Sequence, residues 1–176
     1  MTSARRFIPR ALIVFVGWAM LLASPAGAAS GPKAPSAVTI AAGAHTGGAP
    51  SAMATDDDVT YRVASQGRPV DKVRFIAKYT GLDDEDARLV VRASVSATRD
   101  CQASVELYDY GQGRWETVAL FPVSPTESDP VFDIARNGYV NSRGVAKARV
   151  TCTTNGGDFE LRVDMLTAET YTPVAP

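Results

Sequence analysis

The chain has 176 residues, with 18 Lys plus Arg against 19 Asp plus Glu and a single His. So even a balance gives no long-range pull on nucleic acid or anionic lipid, and no nucleic-acid partner is expected. One histidine also leaves no basis for a histidine-rich zinc shell or for Ser/His/Asp and Cys/His relays.

Residues 1–28 read as a cleavable secretory signal. Arg5, Arg6 and Arg10 form a basic start, residues 11–23 an uninterrupted apolar block, and Ala26-Gly27-Ala28 a small-residue cleavage site after Ser24-Pro25. The block is shorter than the roughly 20 residues that span a bilayer as a helix. The expected product is exported, extracellular or periplasmic, with no membrane span after signal cleavage. Its 15 cations and 19 acids leave a net charge of −4.

Residues 29–55 hold nine Ala, four Gly, three Pro, three Ser and three Thr, with Lys33 as the only full charge. So few large side chains offset little ordering entropy, and the composition predicts a flexible linker. His45 falls inside it, where nothing is expected to orient the ring.

Residues 56–176 suit one domain in length. Their dominant period is two. Leu89, Val91, Ala93 and Val95 alternate with polar neighbours, and so do Val105 and Leu107. Ala146, Ala148, Val150 and Cys152 repeat the pattern, as do Phe159, Leu161, Val163 and Met165. Such alternation marks half-buried antiparallel strands. Weaker runs lie at 59–64, 73–79, 115–121 and 131–135. Tyr110-Gly-Gln-Gly-Arg114 and Asn155-Gly-Gly-Asp158 supply hairpin turns. The fold class predicted is all-β, an antiparallel β-sandwich or jelly roll of about eight strands. Cys101 and Cys152 form an even pair, most simply one disulfide in an oxidising compartment; a free thiol pair or a metal site are the alternatives.

Residues 84–92, 105–118 and 145–150 together resemble a module near the C-terminus of many exported bacterial proteins, a jelly roll of the galactose-binding-like type. The likeness runs over most of residues 59–172 and rests on strand and hairpin signatures. It implies a non-catalytic module whose ligand is mostly uncharacterised. This chain differs in lacking a catalytic domain ahead of the module and in carrying the cysteine pair.

Chemistry is sparse. No nucleophile elbow, zinc helix or phosphate-binding glycine loop occurs. A glycosidase or lyase needs only two carboxylates, and Glu106, Asp109, Glu116, Asp133, Glu160 and Asp164 are available, mostly on outward registers. Two acidic clusters, residues 56–58 and 83–86, have the oxygen-rich character of calcium loops, with Asp83, Asp84 and Asp86 the better set; a solvated turn is the alternative. The strongest binding signal is aromatic. Tyr108, Tyr110 and Trp115 flank one hairpin, and sugar rings stack on such faces while Asp109, Gln112 and Arg114 supply a polar rim. The alternative is that Trp115 plugs the end of the sandwich. A second loop, residues 136–139, offers similar groups. The partner expected is a glycan or envelope component, with a protein-interaction domain as the alternative and an enzyme last.

Overall fold

In the computed structural model, residues 29–66, 71–82, 88–134 and 138–171 are described. They form eleven strands in two antiparallel sheets, with one short 3-10 turn and no α-helix. The strands are β1 (Ala29–Lys33), β2 (Ala37–Ala42), β3 (Ala44–Gly47), β4 (Tyr61–Ala64), β5 (Asp71–Tyr79), β6 (Arg88–Ala97), β7 (Cys101–Asp109), β8 (Arg114–Val123), β9 (Val131–Ile134), β10 (Ala146–Thr154) and β11 (Glu160–Tyr171). One sheet has the order β3-β4-β11-β6-β9, with β1 also paired to β11. The other has the order β2-β5-β10-β7-β8. The signal-sequence reading and the Asp83, Asp84, Asp86 calcium reading lie outside the described residues.

The period-two runs do what their pattern demands. Val73, Phe75 and Ala77 of β5, Val105 and Leu107 of β7, and Ala148 and Val150 of β10 are buried. They face Leu89, Val91 and Ala93 of β6 and Leu161 and Val163 of β11 across the core. Burial of aliphatic side chains in this way contributes roughly 1.5–3 kcal/mol each. Cys101 and Cys152 are bonded, with Cα atoms 5.9 Å apart. The bridge is buried and ties β7 to its neighbour β10 within one sheet.

Two expectations need correction. Residues 29–55 are not a flexible linker: they supply β1, β2, β3 and the 3-10 turn Pro50–Met53. The composition argument weighed side-chain size and left out main-chain pairing. Ala37 to Ala42 pairs along β5, Val38 and Ile40 pack on the core, and Met53 is wholly buried. Glycine here serves close approach. A Cβ on Gly43 (φ +98) would lie 2.5 Å from the Ala64 carbonyl oxygen, and one on Gly48 (φ +78) would lie 2.3 Å from that of Thr60. His45 is oriented after all, stacked on Tyr61 at 4.8 Å with Nε2 2.7 Å from the Gly48 oxygen.

The second correction concerns β11. A bulge between Val163 and Met165 shifts its register against β6. Inward parity passes from Val163 to Leu166 and Ala168, Met165 is only half-buried, and Asp164 becomes buried instead of solvated.

Candidate functional site

The hairpin between β7 and β8 is held by Asp109. Its backbone oxygen accepts the Gly113 N–H at 2.8 Å, and its Oδ1 accepts the Gln112 N–H at 2.9 Å. Asp109 is 1% exposed. It therefore fixes the turn and does not belong to a polar rim. Gln112 and Arg114 are exposed at the tip, where Arg114 pairs with Glu116 at 3.0 Å.

Tyr108 and Trp115 are direct cross-strand partners. Tyr108 alternates with the buried Leu107 and Asp109, so both rings project to the solvent side of the five-stranded sheet. Trp115 is half-buried on that face and does not plug the sandwich. The Tyr108 ring meets Trp115 edge-on at 5.3 Å and Tyr110 edge-on at 5.0 Å, giving a contiguous aromatic cluster. Burial raises the Tyr110 phenol above its ordinary value, helped by Tyr108, and its buried Oη has no hydrogen-bond partner among the described residues. On the same face Leu120 is 69% exposed.

Cations from β10 lie over these rings. The Lys147 ammonium is 5.4 Å from the centre of Tyr108, and the Arg149 guanidinium carbon is 4.5 Å from the centre of Trp115. Arg149 also forks onto Glu106 through Nε and Nη2. That hydrogen bonding holds the Glu106 carboxyl below its usual value against the opposing cost of burial. No single stretch of sequence shows this arrangement, because β7 and β10 meet only through sheet pairing.

Tyr139 of the second candidate loop is not an exposed group. It is 5% exposed and donates its hydroxyl to Glu116 at 2.6 Å. Arg136 and Asn137 of that loop lie outside the described residues. The other candidate carboxylates are individually engaged. Asp133 accepts from the Tyr171 hydroxyl, and Glu160 accepts from Thr46 and Arg162.

On the opposite sheet, Asp56, Glu127 and Asp164 bring carboxylate oxygens within 4.8 Å of one another, the donor type hard cations take. Asp164 is buried there and accepts the Asp58 N–H at 2.8 Å. Sharing a hydrogen bond with Asp164 raises the Asp56 carboxyl above its ordinary value. Beside them lies a polar groove of about 350 Å³ lined in part by Arg62, Ser96 and Arg162.

No protein-family model matches this chain, and no curated protein matches its sequence. Solved structures match its fold. A family 61 carbohydrate-binding module in complex with β-1,4-galactotriose superimposes with a TM-score of 0.50 at 13% identity, over 75% of this chain and 86% of that one. A family 29 carbohydrate-binding module gives 0.44 at 8% identity, over 76% and 88%. The CBM22-1 xylan-binding domain of Paenibacillus barcinonensis Xyn10C gives 0.43 at 8%, over 82% and 88%. The first of these shows the fold alone, a two-sheet jelly roll.

Proposed function

We propose that this chain is an exported, non-catalytic glycan-binding module whose site is the outer face of the five-stranded sheet around Tyr108 and Trp115. One observation carries the reading: Trp115 lies on the solvent side of an edge strand, in contact with Tyr108, and takes no part in the buried core. A sugar ring packs its C–H face on such a surface while hydroxyls reach neighbouring donors, here Lys147 and Arg149. The jelly-roll likeness to the galactotriose-bound module supports the same reading at the level of fold. The non-catalytic part draws support from Glu106, Glu116, Asp133 and Glu160, each tied to a cation or hydroxyl. Export draws support from the buried disulfide.

The test is a pull-down on a panel of insoluble polysaccharides, followed by titration of the best one. Binding that disappears in Trp115→Ala, with an unchanged circular dichroism spectrum, is the expected result. Failure on every polysaccharide, with a protein partner co-purifying instead, would replace this reading with that of a protein-interaction domain.

A further inference from the structure

Cross-strand pairing assembles a charge pattern on the face that carries the aromatic cluster. Partners in an antiparallel sheet project to the same side. Lys78 pairs with Lys147; Ile76 pairs with Arg149, which pairs in turn with Glu106; Arg74 and Lys72 continue the row along β5. Lys72, Arg74 and Lys78 alternate with the buried Val73, Phe75 and Ala77, which confirms their outward aim. Five cations thus share one face, and Glu106 is the only acid on the outward registers of its described strands. Three of the four lysines in the chain are here.

The opposite sheet is arranged differently. There Arg92 meets Glu169 at 2.8 Å and Arg162 meets Glu160 at 3.1 Å. On the basic face only Arg149 has a carboxylate partner among the described residues, and Arg74 donates to the Thr151 hydroxyl at 3.1 Å. Lys78 opposite Lys147 is a like-charge cross-strand pair, a placement that costs stability unless an anion sits over it. All this occurs in a chain whose expected mature form carries net −4, so the positive face is a local construction and not a reflection of composition.

We propose that the ligand of this face is a polyanionic glycan, a polysaccharide bearing carboxylate or sulfate groups, with sugar rings on the Tyr108–Trp115 cluster and acidic substituents along Lys147, Lys78 and Arg74. This rests on the glycan-binding reading above and narrows it. Arg149 contributes a planar donor fork already placed on Trp115, and an incoming acidic group competes with Glu106 for it. Single-stranded nucleic acid, whose bases also stack on aromatic faces beside cations, is the competing ligand that the experiment separates.

The experiment uses the full chain and titrates it with polygalacturonate (carboxylate), chondroitin sulfate (sulfate and carboxylate), and xylan and β-1,4-galactan (neutral), with single-stranded DNA and phosphatidylserine vesicles alongside. The expected result is preference for one or both acidic polysaccharides, weakening with salt. The double variant K78Q/K147Q removes two contact cations and relieves their mutual repulsion, so its fold is spared. It should bind the acidic polysaccharide about tenfold more weakly and reduce the slope of log affinity against log salt by about two if both contacts release counterions. Tight neutral-glycan binding that requires Trp115 but ignores K78Q/K147Q would overturn the charge assignment and leave the glycan reading standing. DNA or vesicle binding as tight as that of the polysaccharides would overturn it in favour of a general basic surface. No binding to any polysaccharide would remove both.

Discussion

The guanidinium carbon of Arg149 lies 4.5 Å from the centre of the Trp115 ring while its nitrogens fork onto Glu106. One side of the tryptophan is thereby covered by a fixed planar cation. The ring is a surface whose charge depends on whether Glu106 is ionised. This couples the aromatic cluster to the row of cations on β5, since Arg74 and Lys72 also act on that carboxylate.

Acid titration should expose the coupling. The Arg149 hydrogen bond is the main reason that Glu106 ionises below its usual value of 4.5. For a depressed carboxyl, the stabilising contribution is complete above the unfolded value and is lost as pH falls through the lower folded one. Trp115 emission should change with a midpoint below 4.5, read as the difference between the chain and Trp115→Phe. Glu106→Gln should abolish that transition. A midpoint at or above the usual value would contradict the fork.

The disulfide closes a loop of 51 residues and joins β7 to β10, two of the strands that carry the site. Chain entropy puts its contribution at about 4 kcal/mol, with measured values often smaller. The double substitution Cys101→Ser and Cys152→Ser should lower unfolding free energy by about 2–4 kcal/mol in denaturant melts. Wild-type protein under reducing conditions should behave alike.

The strands were legible wherever apolar residues alternate over a long run, as in β6, β7 and β10. The hairpin glycines and the cysteine pair were legible on the same terms. β2 and β3 were not, because alanine and glycine carry almost no side-chain signal, and their order comes from main-chain pairing with β5 and β4. The bulge in β11 was hidden too, since a one-residue slip leaves composition unchanged while reversing which side chains are buried. Tyr108, Tyr110 and Trp115 could be found in one short segment. Lys78 and Lys147 could not be seen as neighbours, because only the pairing of β5 with β10 brings them together.

Order in the first part of the domain has a direct test. Met53 is wholly buried at the end of a 3-10 turn and belongs to the same core as Tyr61 and Phe75. Met53→Ala should reduce unfolding free energy by about 2–5 kcal/mol, the range for truncating a large core side chain. A melt identical to wild type is the result a flexible linker would give, and it would remove residues 29–55 from the sandwich.

The carboxylates of the opposite sheet should respond to pH with the reverse sign of Glu106. Asp56 is raised above 3.8, chiefly by its hydrogen bond with Asp164. The folded state therefore holds that proton more tightly than the unfolded chain does. Stability at this site should rise as pH falls through the raised value and level off below the ordinary one. Asp56→Asn should erase that rise in melting temperature as pH is lowered toward 3.8. Asp164→Ala acts differently, because it strands the Asp57 and Asp58 N–H groups that the buried carboxylate accepts. It should cost about 1–3 kcal/mol across the whole range. If Asp56→Asn leaves the pH profile untouched, the two carboxyls do not share a proton, and the raised value must be given up.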